Sequence, residues 1–222
     1  MMKLRGIQIG DYHTADDWNL ILHEKTITPP EPKTNYVSVP GRDGDIDLTE
    51  ALSGLVNYRD RTASFVFLLT NGSHDDRDEL ITEIVGVLNG QRLQIIDTDD
   101  YPDYYMTGRF TVKSVTNNNA YGTIQLEAVC NPWRYAINPV SRTVNVSSTD
   151  GTVAIVLTNS GYKTVTPSIT VTGTINLTYG TTTVALSAGT YTLPGLLLSP
   201  GANSLSVAGS GSITITYTEA IF

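Results

Sequence analysis

The chain has 222 residues, 40% of them apolar, enough to bury one large core or two modest ones. Its net charge of −8 argues against a polyanionic ligand, because neutralising phosphates takes clustered Lys and Arg. One cysteine, Cys130, excludes an internal disulfide, and no apolar run reaches the roughly 20 residues that span a bilayer.

The start, MMKLRGIQIGDYHTADDW, lacks the apolar stretch of a signal peptide, so synthesis in the cytosol is expected. Short pieces follow, RGIQIGDY, WNLILHEKTITP and TNYVSVPG, each bounded by Gly, Pro or Asp, and they read as strands. The stretch RTASFVFLLTNG carries a continuous apolar run, FVFLL, for which coverage of both faces is expected.

The period then changes. Leu80, Ile81, Ile84, Val85 and Leu88 recur at helical spacing, Ser73 with Asp76 fits a start, and Asn89-Gly90 fits a stop, predicting a helix over about 75–89. Asp75, Asp76, Asp78 and Glu79 fall in its first turn, where the helix dipole favours anions, so they need no catalytic explanation.

Strands resume with QRLQIID, YMTGRFTVKSV and GTIQLEAVCNPWRY, separated by TDDYPDYY and TNNNAYG. Beyond Asn138 the chain is Thr, Ser, Val, Ile and Gly, with turn signals every 8 to 12 residues as in a β-sandwich. From Ser141 onward the ionisable acids and bases are Arg142, Asp150, Lys163 and Glu219, which cancel, so the whole −8 lies before Ser141. This break divides the chain into 1–138, β-rich with one helix, and 139–222, all β. AGSGS, near Gly209 and Gly211, reads as a turn between two strands.

Chemistry finds little foothold. Asp43, Asp45 and Asp47 alternate like the oxygen ligands of a calcium loop, but the EF-hand's turn glycine falls on Leu48 and its bidentate acid on Gly54. A Pro40-Gly41 turn followed by a tight turn at Asp43-Gly44 explains the stretch better. Asp97, Asp99, Asp100 and Asp103 are interleaved with Tyr101, Pro102, Tyr104 and Tyr105, with no histidine nearby in sequence, which suits an exposed loop or a subunit contact. His13, His23 and His74 are too scattered for a zinc pattern, and no Walker loop, GxSxG or strand-borne GxGxxG occurs. Cys130, with Arg134 as its one basic neighbour in sequence, reads as a buried, inert thiol. No enzyme, metal or cofactor is expected.

The ordered pieces VPGRDGDIDLTE, YRDRTASFVF, the helix ending LNGQRLQIIDTDDYPDYYMTGR, and CNPWRY resemble the distal tail proteins of long, flexible-tailed bacteriophages. The likeness continues through NSGYKTVTPSITVTG and LLLSPGANSLSVAGSGSITITYTEA, so it covers essentially the whole chain. It implies a ring-forming N-terminal domain, six copies closing into a hub, and an outward galectin-like β-sandwich. Its implied partners are the tail-tube protein above, a tail-tip or tail-associated protein below and receptor-binding proteins at the side, in a virion assembled in the host cytoplasm. DNA would pass through the ring without specific binding.

Closed cyclic rings need two complementary patches per subunit, and the candidate contact charges are Arg42, Asp43, Arg59, Arg61, Asp97, Asp99, Asp103 and Arg109. Pro40, Gly41, Gly44, Gly90, Pro132 and Trp133 are candidates for shaping the backbone. Short turns in the second domain (NSG, YG, SAG, SPGAN, GSG) predict no receptor-gripping arm. Two competing readings remain. One is a saccharide-binding sandwich using Tyr162, Tyr179, Tyr191 or Tyr217; the other is a metal-dependent hydrolase using Asp97, Asp99 and Asp103.

Overall fold

The computed structural model describes residues 5–149 and 151–222. It is mainly β with a single helix, as the periodicities predict. The chain divides into two compact units, Met1–Arg134 with Phe222, and Tyr135–Ile221. The composition break had set the division a few residues later, after Asn138, and gave no sign that the last residue clusters with the first unit.

The first unit contains strands β1 (Ile7–Ile9), β2 (Tyr12–His13), β3 (Ile21–Ile27), β4 (Tyr36–Ser38), β5 (Asp45–Asp47), β6 (Arg61–Leu69), β7 (Arg92–Asp97), β8 (Tyr104–Asn117) and β9 (Gly122–Cys130), with helix α1 at His74–Leu88. The main sheet runs β2-β1-β7-β8-β9-β6-β3, antiparallel at every step. Strand β6 alternates strictly: Ala63, Phe65, Phe67 and Leu69 are buried, while Val66 and Leu68 on the opposite face are half-covered. FVFLL is thus one fully buried face backed by a partly shielded one. Phe65, Phe67, Phe110, Ile124 and Leu126 form the centre of this core, each contributing about 1.5–3 kcal/mol by leaving water.

Helix α1 lies against this core through Ile81, Ile84 and Leu88. Ser73 caps it: its Oγ accepts from the Asp76 amide at 3.2 Å while Asp76 Oδ2 accepts from the Ser73 amide at 2.8 Å. The pair satisfies two amides that the first turn leaves unpaired. These backbone and hydroxyl bonds from Ser73 hold the Asp76 carboxyl below its ordinary pKa. At the other end Asn89 ends the helix and Gly90 takes φ +79°. Arg77 is also buried, which periodicity missed, because its guanidinium satisfies Asn117 Oδ1 and the carbonyls of Gly72 and Asn118.

The chain continues through β10 (Arg134–Ala136), β11 (Val140–Val146), β12 (Val153–Asn159), β13 (Ser168–Tyr179), β14 (Thr182–Leu186), β15 (Gly189–Tyr191), β16 (Gly201–Tyr217) and β17 (Ala220–Ile221). Strands β11 to β16 build the sheet of the second unit. Here the expectation of separate strands divided by glycine turns needs correction. SITVTGTINLTY and GANSLSVAGSGSITITY are each one unbroken strand, β13 and β16, with all of β13 paired to residues 205–216 of β16. The first half of β16 pairs with β12 and the second half with β11, while β13 pairs with β15 near its start and β14 near its end.

One sheet therefore makes both layers. Ile169, Val171, Ile213 and Ile215 from one half share a core with Ile175, Leu177, Leu205 and Val207 from the other. Gly173, Gly209 and Gly211 sit between the halves at φ +85°, +132° and +137°. A glycine at such φ bends a strand sharply without ending its ladder, which is why the turn reading failed.

Candidate functional site

The Asp-rich stretch forms a hairpin of its own, β4 on β5, pairing Tyr36 with Asp47, Val37 with Ile46 and Ser38 with Asp45, outside the main sheet. Arg42 N–H donates to the Val39 carbonyl at 3.2 Å around Pro40 and Gly41, and Gly41 and Gly44 take φ +84° and +73°. Positive φ after proline is the signature of a type II turn. Asp47 accepts from the Thr49 amide at 2.9 Å, and the Thr49 hydroxyl and amide bonds lower its pKa. Among the described residues no group of three His, Cys, Asp or Glu side chains is placed to hold a metal ion.

The hairpin's distinguishing feature is apolar. Tyr36, Val37, Val39, Leu48, Leu52 and Leu55 are all exposed, Leu52 completely. Exposed large apolar side chains are thus concentrated within one short segment. Arg42 and Asp43 lie at its tip, exposed.

The other candidate charges do not gather there. Arg59, Asp99, Asp103 and Arg109 are exposed and dispersed: Arg59 precedes β6, the two aspartates lie in the β7–β8 loop, and Arg109 Nη1 donates to the Gly90 carbonyl at 2.7 Å. Gly90, by contrast, binds the helix end to β8, its amide donating to the Phe110 carbonyl. Arg61 and Asp97 are buried, at 4% and 5% exposure, so in the folded chain they are not surface charges available to a neighbour. Asp97 joins Asp100 in holding Lys25 of β3, and its Oδ1 also accepts from the Asp100 amide at 3.2 Å. The Lys25 bond pulls the Asp100 pKa down, whereas Lys25 itself, though partly desolvated, is raised by bonds to both aspartates. Sequence offered no sign of Lys25, because the partnership spans distant strands.

A second constellation was missed. Arg61 and Arg134 line a pocket of about 480 Å³ together with Tyr58, Tyr101 and Phe222. Arg134 is 7% exposed, its Nη1 donates to the main-chain oxygen of Phe222, and its guanidinium lies 4.2 Å from the Tyr101 ring centre. Arg61 Nη2 approaches the Met106 sulfur at 3.0 Å, a weak acceptor. The Nε of both arginines is buried without a hydrogen-bond partner. Burial, then the neighbouring Arg134, push the Arg61 pKa down to about 10. Trp133 backs the pocket, stacked on Phe222 at 4.3 Å, with Tyr58 edge-on to both rings. Arg134 and Trp133 stand in the quoted CNPWRY piece, beside the half-buried Pro132, so their place in sequence was in view while their company was not.

Cys130 pairs with Arg61 across β6 and β9, so Arg134 is not its one basic neighbour. Burial still pushes its thiol up to about 11, which leaves it protonated.

The second unit carries the four tyrosines considered as saccharide platforms. The hydroxyls of Tyr179, Tyr191 and Tyr217 donate to the carbonyls of Pro194, Ser187 and Thr158. Tyr162 is the exposed one, at 66%. The longest connections, 160–167 and 192–200, carry buried Val165, Leu196 and Leu198, and no arm-like insertion occurs among the described residues. The outer surface is laddered with hydroxyl pairs such as Thr143 with Thr214 and Thr172 with Ser212.

The whole chain shares its fold with the Dit protein of phage SPP1, described as a paradigm of the hub adsorption apparatus in phages that infect Gram-positive hosts. The TM-score is 0.72, over 99% of this chain and 100% of that one, at 15% identity. A chain from the tail of an empty GTA particle, refined with C6 symmetry, aligns over 48% of this chain and 76% of its own at 18% identity; its TM-score of 0.27 carries no argument. No family model and no curated protein sequence matches the chain.

Proposed function

We propose that this chain is a structural hub protein at the distal end of a phage tail, non-enzymatic, with its first unit closing into a ring of six. The observation that carries the reading is the likeness in fold to a phage hub protein along the full length of both chains. The exposed apolar hairpin 36–55 supports it, since a soluble monomer gains nothing from leaving Tyr36, Val37 and Leu52 in water. In a ring each hairpin would be covered by a neighbouring copy, and Arg42 and Asp43 at its tip would set the register by charge. The ring would join the tail-tube protein to a tail-tip protein, with receptor-binding proteins as further partners.

DNA would pass through the lumen. All of the −8 net charge lies before Ser141, so a lumen built from the first unit would be neutral or acidic and would repel the duplex. Electron microscopy of the purified protein in negative stain tests the reading. Rings with a central hole are expected, and a field of single small particles at micromolar concentration would count against it.

A further inference from the structure

We infer that the β7–β8 ribbon joins neighbouring copies head to tail, the acids at its turn in one copy meeting Arg92 and Arg109 of the next. The inference rests on the hub reading for its setting and names a contact that a ring of copies would use.

Strands β7 and β8 pair antiparallel with Arg92 directly opposite Arg109. Residues so placed stand about 5 Å apart at Cα and send their side chains to the same face of the sheet. Both arginines are exposed, and like charges set opposite one another destabilise a sheet. Among the described residues their side chains donate to neutral acceptors, Arg92 Nη2 to Asn131 Oδ1 at 2.9 Å and Arg109 Nη1 to the Gly90 carbonyl at 2.7 Å. The next residue in the row is Val129, paired with Arg109 and 51% exposed. Glu127, two residues before Val129 on the same face, is held by Lys113 at 2.8 Å. Two uncompensated cations thus stand together on the part of the chain that carries the whole −8.

The other end of the ribbon is acidic. Lys25 engages Asp97 and Asp100, which leaves Asp99 and Asp103 exposed, with no cation within 4 Å among the described residues. At about 3.4 Å per residue, Arg92 and Asp97 at the two ends of β7 lie roughly 17 Å apart, twice the Debye length of about 8 Å. The two ends of one ribbon therefore do not neutralise each other within a copy. Closing a ring by rotation takes two different patches per subunit, and this ribbon carries both, with opposite charge. The hairpin acids Asp45 and Asp47 match less well. They share a face with Tyr36 and Ser38, opposite Val37 and Ile46, so a hairpin docked through its apolar face turns them outward. Two arginines are also too short a footprint for a polyanion, which is bound by a longer run of cations.

Charge exchange between two altered full-length chains tests the contact. One carries Asp99→Lys with Asp103→Lys, the other Arg92→Glu with Arg109→Glu, and each then sets like charges against its own copies. Mixed in equal amounts, each ribbon end meets the opposite charge on the other chain. Sedimentation velocity at micromolar concentration should show the unaltered chain assembled, each altered chain alone weakened about tenfold or more, and the mixture restored to within about threefold. Substituting Asp45→Lys with Asp47→Lys for the turn variant should restore nothing in the mixture; restoration there overturns the choice of the turn. If a double variant does not fold, Asp103→Asn and Arg109→Gln remove a charge without reversing it, and each should weaken assembly about threefold or more. Altered chains that assemble like the unaltered one, or a mixture that does not recover, overturn the contact and leave the ring standing. An exchange that holds in an assembly of another size upholds the contact and overturns the ring of six. An unaltered chain and a mixture that both stay single overturn the two together.

Discussion

Gly173 stands opposite Gly211 across the β13–β16 ladder, and neither position has room for a side chain. A Cβ on Gly211 would lie 1.8 Å from the Thr172 carbonyl oxygen, and one on Gly173 would lie 2.2 Å from that of Ser210. The second unit folds one sheet over on itself at this crease. Gly211→Ala should therefore cost about 3 kcal/mol or more, by positive-φ strain and backbone overlap together. Gly195 has φ +81° but open space around it, so Gly195→Ala should cost about 1 kcal/mol, from φ alone. Urea unfolding of the two variants checks the difference; equal costs would mean that the crease is not where close approach matters.

The exposed hairpin should carry assembly and not folding. Leu52→Asp replaces a side chain already in water, so unfolding of the monomer should change by no more than about 0.5 kcal/mol, while Val37→Asp, at a 41% exposed strand position opposite Ile46, should cost about 1 kcal/mol. The assembled fraction should collapse. Charge reversal at Arg42 or Asp43 should weaken assembly less, and more so at low salt. Sedimentation velocity reads all four variants; unchanged assembly in both aspartate variants would remove the hairpin from the interface.

Stability should fall at both ends of the pH range. Asp47, Asp76 and Asp100 have folded pKa values below the ordinary 3.8, so their contributions are present above that value and are lost as pH falls through the folded values. Asp76→Asn should flatten part of the acid limb, and Ser73→Ala should cost about 1 kcal/mol as a lost cap. Lys25 is raised above 10.5, so its contribution is full below 10.5 and is lost as pH climbs through the folded value. Lys25→Met removes the ammonium from buried Asp97 and should cost about 2 kcal/mol at neutral pH. Thermal melts from acid to alkaline pH check each limb.

DNA should not bind. With the whole net charge of −8 lying before Ser141, gel-shift assays at low salt should show no salt-sensitive complex. A tight complex that dissolves with added salt would contradict a lumen made for sliding.

What sequence could reveal followed how local the signal was. Helix α1 was legible because Ser73, Asp76, the spacing of Ile81, Ile84 and Leu88, and Gly90 all lie within one short window. The Pro40-Gly41 and Asp43-Gly44 turns were legible for the same reason. Gly209 and Gly211 misled, since a creasing glycine inside a strand looks locally like a turn glycine between strands. Arg61 and Asp97 read as surface charges because nothing nearby in sequence announces burial; Lys25 and Arg134 reach them from other strands. The pocket needed Phe222 beside Trp133, a meeting of residues far apart in the chain.

The central claim, a ring-forming hub, is tested most directly by the mass of the purified protein in solution. Light scattering coupled to size exclusion should give about 144 kDa, six times the chain's 24.0 kDa, at micromolar concentration. A single species at 24.0 kDa that persists as concentration rises would contradict it.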